Sequence, residues 1–445
     1  MAKRQLNTPE KGSIAALMGR MAEMSGLKAF TGDDYSSDWR YLTFVDPKTG
    51  LPSIAHEYLV GAAGFRAGTI NQLRGLAGTG KSSLCMLEYA SAIRNGGAYC
   101  AHLETEGAGM RSGRIAEFGI NPKNLVIPDD TNSFEKVVEF IDTLRCLIRG
   151  GDGGSINDLG RRSATKFRRE DAEDPDRTKP ILIGIDSLSN LGKDEDTKND
   201  ISDMSKAKQP GWLPRQIKAW FREKAKKYER DLLTLFLTSQ ETTKIQTGGG
   251  AYLPPEKTSV AGDAIKFFDT IAIDMSIKDW KDDKTKVKLG REMTLKVFKN
   301  KLAGGEGKKV VFYLTNHDGF DMIHTDAMFL LDKSVSPFGE AAGIFKGSDL
   351  IRRDSGGITC KPLSDSKFRT EEEFVRAFYD NKDLLSTVRD GMRIYGYGLP
   401  HEDKYKSNYD KDGSWIGDGE EPKESKPEEP EPEEPLEYNS LFSVE

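Results

Sequence analysis

Cysteine is scarce in this chain of 445 residues: the four present, Cys85, Cys100, Cys146 and Cys360, are far apart and form no CxxC pair. That spacing argues against a disulfide framework and against a cysteine-ligated zinc site. The five histidines are equally scattered and none falls in an HExxH pattern, which argues against a zinc hydrolase. No apolar run approaches the roughly 20 residues that cross a bilayer. The opening residues, MAKRQLNTPEKGS, lack the apolar stretch of a secretory signal. What is present is ordinary for a folded, soluble, intracellular chain: 37% hydrophobic and 31% charged residues. The length predicts two or three structural units.

The net charge of −6 conceals a division. Segment 418–437 holds ten acids against Lys423 and Lys426, a net −8, so the remaining residues carry +2. An acidic tract masks a near-neutral body, and the total charge says little about partners.

Four segments follow from pattern. Residues 1–48 contain helical apolar spacing at Ile14, Leu17, Met18, Met21, Met24 and Leu27, which predicts a short helix that packs on its own core or docks on a neighbouring subunit. Residues 49–330 alternate strand and helix, with strands expected at 69–74, 98–104, 181–186, 232–239, 270–277, 293–299 and 309–315. Helices are expected at 81–94, 134–149 and 213–228. This predicts an α/β fold with a mostly parallel, twisted sheet flanked by helices. Segment 150–179 interrupts the alternation with GGDGG and a basic run (Arg161, Arg162, Lys166, Arg168, Arg169). Its composition reads as a surface insertion or as an auxiliary nucleic-acid contact. Residues 331–401 read as a small C-terminal domain with a helix near 370–380. Residues 402–445 form a polar, then Pro/Glu-rich tail with too little apolar surface to fold.

The strongest chemical signal is Gly75-Leu76-Ala77-Gly78-Thr79-Gly80-Lys81-Ser82, a complete GxxxxGK[ST] between a strand-like TINQLRG and the helix-like SSLCMLEYASAIR, in which Ser83 follows the motif directly. In such a loop the glycines let backbone amides surround phosphates, and the helix start adds its dipole. The pattern implies a nucleoside triphosphate, with Lys81 reaching the β- and γ-phosphates and Ser82 ligating Mg²⁺. The apolar strand Ile181–Asp186 ends in a carboxylate, the arrangement of a Walker B acid that holds the Mg²⁺ water shell. Glu104 and Glu106 close a third strand, and one of the two is expected to act on the attacking water. Their spacing alone does not choose between them.

These blocks resemble, in order, those of the RecA recombinases, and within them the UvsX-type recombinases of tailed phages. The likeness covers roughly residues 50–320: the lead-in TGLPSIAHEYLVGAAGFRAGTINQLRGLAGTGKSS, then LETEG, EFGINPKNL, IGIDSLSNL, LTSQ and TLKVFKNKLA. It implies a RecA-like P-loop ATPase core using ATP and Mg²⁺. It puts the catalytic glutamate on Glu106, a γ-phosphate sensor on Gln240, and trans-acting cations on Lys299 and Lys301. Arg114, or a neighbour of it, falls where many relatives place an aromatic ring beside the adenine. The DNA-binding loops would be 202–215, with Met204, Lys206, Lys208, Trp212 and Arg215, and 241–261, with Lys244, Gly248, Gly249, Gly250, Tyr252 and Lys257. The implied partners are single-stranded DNA, homologous duplex DNA and further copies in a helical filament. A mediator or single-strand-binding protein is expected at the acidic tail, no membrane is expected, and the implied setting is the cytoplasm of a host bacterium. The implied roles are recombination, repair and recombination-dependent replication. A hexameric helicase or translocase motor, or a DNA-coating scaffold switched by ATP, would share the same core.

A segment with this negative charge competes for a DNA-binding groove. Deleting 417–445 is therefore expected to strengthen duplex DNA binding, most visibly at about 50 mM salt. Unchanged binding at that salt would reduce the tail to a solubilising or docking element.

Overall fold

The computed structural model describes residues 41–107, 112–129, 131–150, 172–174, 177–192, 212–243, 257–259, 262–282, 284–302, 305–331, 351–354, 357–360 and 366–381. All lie in the first of the two units into which the chain divides, Met1–Leu399. The expected N-terminal helix, the basic run of the insertion and the acidic tail fall outside these residues.

An antiparallel pair, β1 (Tyr41–Thr43) and β2 (Gly64–Arg66), brackets helix α1 (Ile54–Val60). The strands of the central sheet are β3 (Ile70–Gly75), β4 (Tyr99–Glu104), β5 (Leu125–Val126), β6 (Ile181–Asp186), β7 (Leu233–Thr243), β8 (Lys257–Ser259), β9 (Ile271–Lys281), β10 (Lys288–Asn300) and β11 (Lys309–Thr315). Their order is β11-β10-β9-β3-β7-β6-β4-β5, with β8 paired to β7. Strands β9, β3, β7, β6, β4 and β5 run parallel, and β10 and β11 extend the sheet in antiparallel fashion. Helices α2 (Lys81–Gly96), α3 (Ser112–Glu117), α4 (Phe134–Arg149), α5 (Trp212–Arg230) and α6 (Met322–Leu331) accompany it. The expected α/β class with a mostly parallel, helix-flanked sheet is what forms.

The two faces of the sheet are sorted by the period of two along each strand. On β7, Phe236 belongs to one apolar cluster, whereas Leu233, Leu235 and Leu237 belong to the other. On β6, Leu182 sides with Phe236, and Ile181, Ile183 and Ile185 with the leucines. The first cluster receives Leu84, Met86 and Leu87 of α2 and Ile323 and Phe329 of α6. The second receives Val137, Val138 and Ile141 of α4 and Ile217 and Phe221 of α5. Both faces are covered, so the central strands read as unbroken apolar runs. Each fully buried Leu, Ile or Phe contributes about 1.5–3 kcal/mol.

Four of the seven expected strands agree to within a residue, while β7, β9 and β10 run four or five residues further. The extra length of β9 and β10 is an antiparallel hairpin whose outer half is mostly exposed. Apolar alternation vanishes there, and the backbone ladder continues with the cross-strand ion pairs Lys278–Glu292 and Lys288–Asp279, both at 2.5 Å, and with Trp280 packed on Tyr313. Helices α1, α3 and α6 have no counterpart among the expected helices, and for α1 and α6 the reasons are opposite. In α1 the buried face includes His56 and Glu57, so polar residues hide its period. His56 stacks on Phe44 at 4.0 Å between centroids and bonds Glu88 at 2.8 Å. In α6 eight of ten residues are buried, so no polar stripe marks the helix.

The far end of the insertion is anchored. Arg149 donates to Asp174 Oδ2 at 2.8 Å, and Asp174 accepts from the amides of Thr178 (3.0 Å) and Lys179 (2.9 Å). Arg145 donates to Asp231 at 2.6 Å. Beyond 350, β12 (Ile351–Asp354), β13 (Gly357–Cys360) and β14 (Ser366–Phe368) form a small antiparallel sheet beside α7 (Glu371–Asp380). Thr370 caps α7 by accepting from Glu373 N at 3.1 Å. Phe374, Val375 and Phe378 of α7 join the same cluster as α2 and α6.

Asp326 of α6 is a buried carboxylate: its Oδ1 accepts from Ser53 Oγ (2.7 Å) and Ala55 N (2.9 Å). Burial raises its pKa to about 7. Between about pH 4 and 7 the folded chain therefore holds a proton that the unfolded chain has released, so stability falls as pH rises across that window. Asp326→Asn keeps an oxygen for both donors and removes the charge. Thermal unfolding should find the Asn variant gaining on the wild type between pH 5 and pH 8, at a rate of no more than about 1.4 kcal/mol for each step of one in pH. A constant difference would contradict it.

Candidate nucleotide-binding site

The carboxyl ends of β3, β4, β6 and β7 meet at one edge of the sheet, where open α/β folds take ligands. The register sets their levels: Gly75 is opposite Gln240, and Glu104 is opposite Asp186. The loop Gly75–Ser82 turns from β3 into α2. Gly80 caps the helix at φ 86°, and no side chain caps the N terminus. A Cβ on Gly80 would lie 2.8 Å from the sulfur and methyl of Met293, so β10 packs against the loop as well. Leu76, Ala77 and Gly78 are exposed, whereas Thr79 and Lys81 are buried and Ser82 and Ser83 half-buried. Thr79 Oγ1 donates to Leu76 O at 2.9 Å and closes the turn.

Lys81 Nζ is folded back on the loop, donating to the carbonyls of Leu76 (2.8 Å) and Gly75 (3.2 Å). Burial lowers its pKa, against the opposing pull of Asp186, Glu106 and Glu241. Ser82 Oγ donates to Asp186 Oδ2. The other oxygen of Asp186 accepts from Thr238 Oγ1 at 2.6 Å. A hydroxyl and a carboxylate in contact form an all-oxygen donor pair, which suits Mg²⁺. Below this pair His102 Nε2 lies 3.9 Å from Asp186 Oδ2, and burial holds the His102 pKa below its ordinary value.

The two acids at the end of β4 differ in their surroundings. Glu106 Oε1 accepts from Ser187 Oγ (2.9 Å) and from Gln240 Nε2 (2.5 Å). The backbone around it is fixed: Thr105 N donates to Asp186 O (2.7 Å), Ser187 N to Thr105 Oγ1 (2.8 Å), and Gln240 N to Ser189 Oγ (3.1 Å). The half-buried Glu104 is one pleat earlier, and its carbonyl accepts from Thr131. Thr238, Thr105 and Ser187 were not anticipated. Hydroxyls at the ends of apolar strands carry no distinguishing pattern, although LTSQ places two beside Gln240.

No protein-family model matches the sequence. Curated proteins do. The protein RecA of Gluconacetobacter polyoxogenes is 26% identical over 346 residues, 77% of this chain and 81% of that protein. The protein RecA of Paracoccus denitrificans is 24% identical over 356 residues, 79% and 82% of the two chains. That of Ehrlichia canis is 23% identical over 322 residues, 72% and 77%. The chain is similar to RecA along most of its length. Its sheet and flanking helices form a RecA-like core, and the likeness supports a RecA-type recombinase.

Other residues singled out in the sequence are distributed unevenly. Lys299 Nζ bonds Asp269 and the Lys266 carbonyl, and Lys301 Nζ donates to Phe267 O at 2.9 Å. Both lysines thus contact the 266–269 turn and not the P-loop of their own chain. Arg114 pairs with Glu117 at 2.7 Å and lies 5.2 Å from the centre of the Phe118 ring. Arg291, which was not anticipated, reaches from β10 to Gly78 O at 3.3 Å. Met204, Lys206, Lys208, Lys244, Gly248, Gly249, Gly250 and Tyr252 lie outside the described residues. Trp212 opens α5 with its ring 6.1 Å from and edge-on to Phe134, and Arg215 is exposed on the same helix. Lys257 is on β8, opposite Thr243. No helix among the described residues is long and apolar enough to cross a membrane.

The cradle predicts one sharp effect. Gly80→Ala would carry a left-handed penalty of about 1–2 kcal/mol and collide with Met293. ATP affinity by fluorescence titration should fall about tenfold or more, because the backbone amides that face phosphate shift. Affinity equal to the wild type would contradict the assignment of this loop.

Proposed function

We propose that the chain is an ATP-dependent recombinase of the UvsX type that polymerises on single-stranded DNA and pairs it with a homologous duplex. The observation that carries this reading is the hydrogen bond between Glu106 and Gln240 at the edge of the P-loop. Gln240 is followed without a break by Glu241–Thr243, which pair with Lys257–Ser259 as an antiparallel ribbon. A group that responds to the γ-phosphate is therefore continuous in backbone with the second candidate DNA loop. A stand-alone nucleotide hydrolase has no need of that link.

In this reading Lys81 and the amides of 75–82 bind the triphosphate, with Ser83 in the first turn of the helix. Ser82 and Asp186 hold Mg²⁺, which when bound would neutralise phosphate charge. Glu106 takes a proton from the attacking water, an effect worth about 10²–10⁴ in rate. Gln240 leaves Glu106 when a γ-phosphate offers a better acceptor and carries that change into 241–259. Lys299 and Lys301 act on the ATP of the adjacent subunit, since their own P-loop is out of contact. Arg114 stands beside the base. The residues of 202–215 and 241–261 contact DNA, with Trp212 released from Phe134 or used from its exposed side. Roles in repair and replication, the cytoplasm of a host bacterium, and a mediator docked on the acidic tail belong to the same proposal.

ATP hydrolysis with and without single-stranded DNA, imaged by negative stain, tests it. The expected result is strong stimulation together with long filaments. Closed rings would favour a motor, and DNA-independent turnover without assembly would leave only the nucleotide site. Lys81→Ala should abolish triphosphate-dependent DNA binding. Glu106→Gln should retain ATP binding while slowing turnover about 10²-fold or more, and wild-type turnover would move the role to another residue.

A further inference from the structure

Directly under the phosphate edge lies a buried polar pair that the roles above do not use. His102 of β4 and Tyr89 of α2 are both fully buried. Tyr89 Oη is 3.4 Å from His102 Nδ1, and their rings meet edge to face at 6.0 Å between centroids. The opposite ring nitrogen, Nε2, is buried without a hydrogen-bond partner. It lies 3.9 Å from Asp186 Oδ2, too long for a hydrogen bond. A buried polar atom with no partner in a native core is costly and calls for a cause.

Two constraints fix what this atom carries. If Nε2 were the acceptor, a lone pair would face a carboxylate, which is repulsive. The favourable tautomer has hydrogen on Nε2 and an acceptor at Nδ1, and the Tyr89 hydroxyl supplies the donor that Nδ1 requires. The backbone is adapted to that hydroxyl: a Cβ on Gly184 of β6 would fall 1.9 Å from Tyr89 Oη. Gly184 thus allows Tyr89 to reach His102, and His102 to present N–H to Asp186. Meanwhile Asp186 Oδ2 is engaged by Ser82. The hydroxyl that Mg²⁺ would take is the one this oxygen now accepts from.

We propose that His102, oriented by Tyr89 against Gly184, is a positioning residue for Asp186 that replaces the Ser82 hydroxyl as the hydrogen-bond donor to Oδ2 in the metal–nucleotide state. The inference rests on the nucleotide site proposed above and adds a function for its lower wall. Without His102, Asp186 would keep only the Thr238 donor once Ser82 is withdrawn. Its carboxylate would then be free to turn away from the magnesium water shell.

The test is a Mg²⁺ titration of a fluorescent ATP analogue (methylanthraniloyl-ATP) binding to the full chain, with a parallel affinity measured in EDTA. His102→Phe retains the ring and loses the donor. It should raise the Mg²⁺ concentration at half-saturation about tenfold, the low end for groups that orient metal ligands, with the EDTA affinity unchanged. His102→Gln returns an amide donor and should recover to within about threefold of wild type. A merely space-filling histidine would give the reverse order, with Phe the better substitute. His102→Phe titrating like wild type, or Gln faring no better than Phe, would overturn the proposal. If His102→Phe fails to fold, Tyr89→Phe removes the tautomer lock alone and should shift the Mg²⁺ midpoint in the same direction. An unshifted midpoint there would also overturn it. Wild type that binds no analogue at any Mg²⁺ would remove the nucleotide site itself, a distinct result from an unshifted variant.

Discussion

The carboxylate of Asp186 joins the parts of this fold that must act together. It ends the buried strand β6, takes a hydroxyl from the first turn of the P-loop helix, and takes another from Thr238 on the next strand. Its own carbonyl accepts the amide of Thr105, which begins the segment bearing Glu106. One residue thereby sets the relative height of three strand ends and a helix start. The two covered faces of the sheet make that possible, because a close-packed interior resists sliding of one strand past the next.

Charge near the loop follows the same logic. Lys81 is buried among carbonyl oxygens and acids, and burial lowers its pKa in spite of them. An ammonium held in that way loses little on meeting a phosphate, since its water has already been displaced. Glu106 and Gln240 stand at the solvent side of this group, joined to each other. The edge is thus graded from a dry floor, with His102 and Tyr89, to an open rim.

Much of this was legible in the sequence because its causes are local. The P-loop spacing, the apolar run of β6 and the helical period of α4 and α5 each specify an element with little outside help. The difference in surroundings between Glu106 and Glu104 was not legible in their spacing, since the partners of Glu106 are Ser187 and Gln240, which are distant in the chain. His102 is illegible for a related reason: a single histidine in an apolar strand is indistinguishable from a core residue until its neighbours are known. The outer halves of β9 and β10 carry no apolar alternation, so pattern could not extend them. Helix α7 showed its period plainly, but that its buried face joins the main core was invisible in the sequence.

The Arg149–Asp174 clamp has a consequence for how this chain can change length. Glu173 N and Asp174 N return to the carbonyls of Leu147 and Ile148, so the chain re-enters the fold beside the last turn of the helix it left. The exit and entry points of the intervening stretch are thus stitched together by the core itself. Closing a longer or shorter stretch between two fixed, adjacent points changes the free energy only logarithmically with length. Lineages could trim or expand this stretch at little cost to the sheet, which makes it a permissive port for grafted sequence.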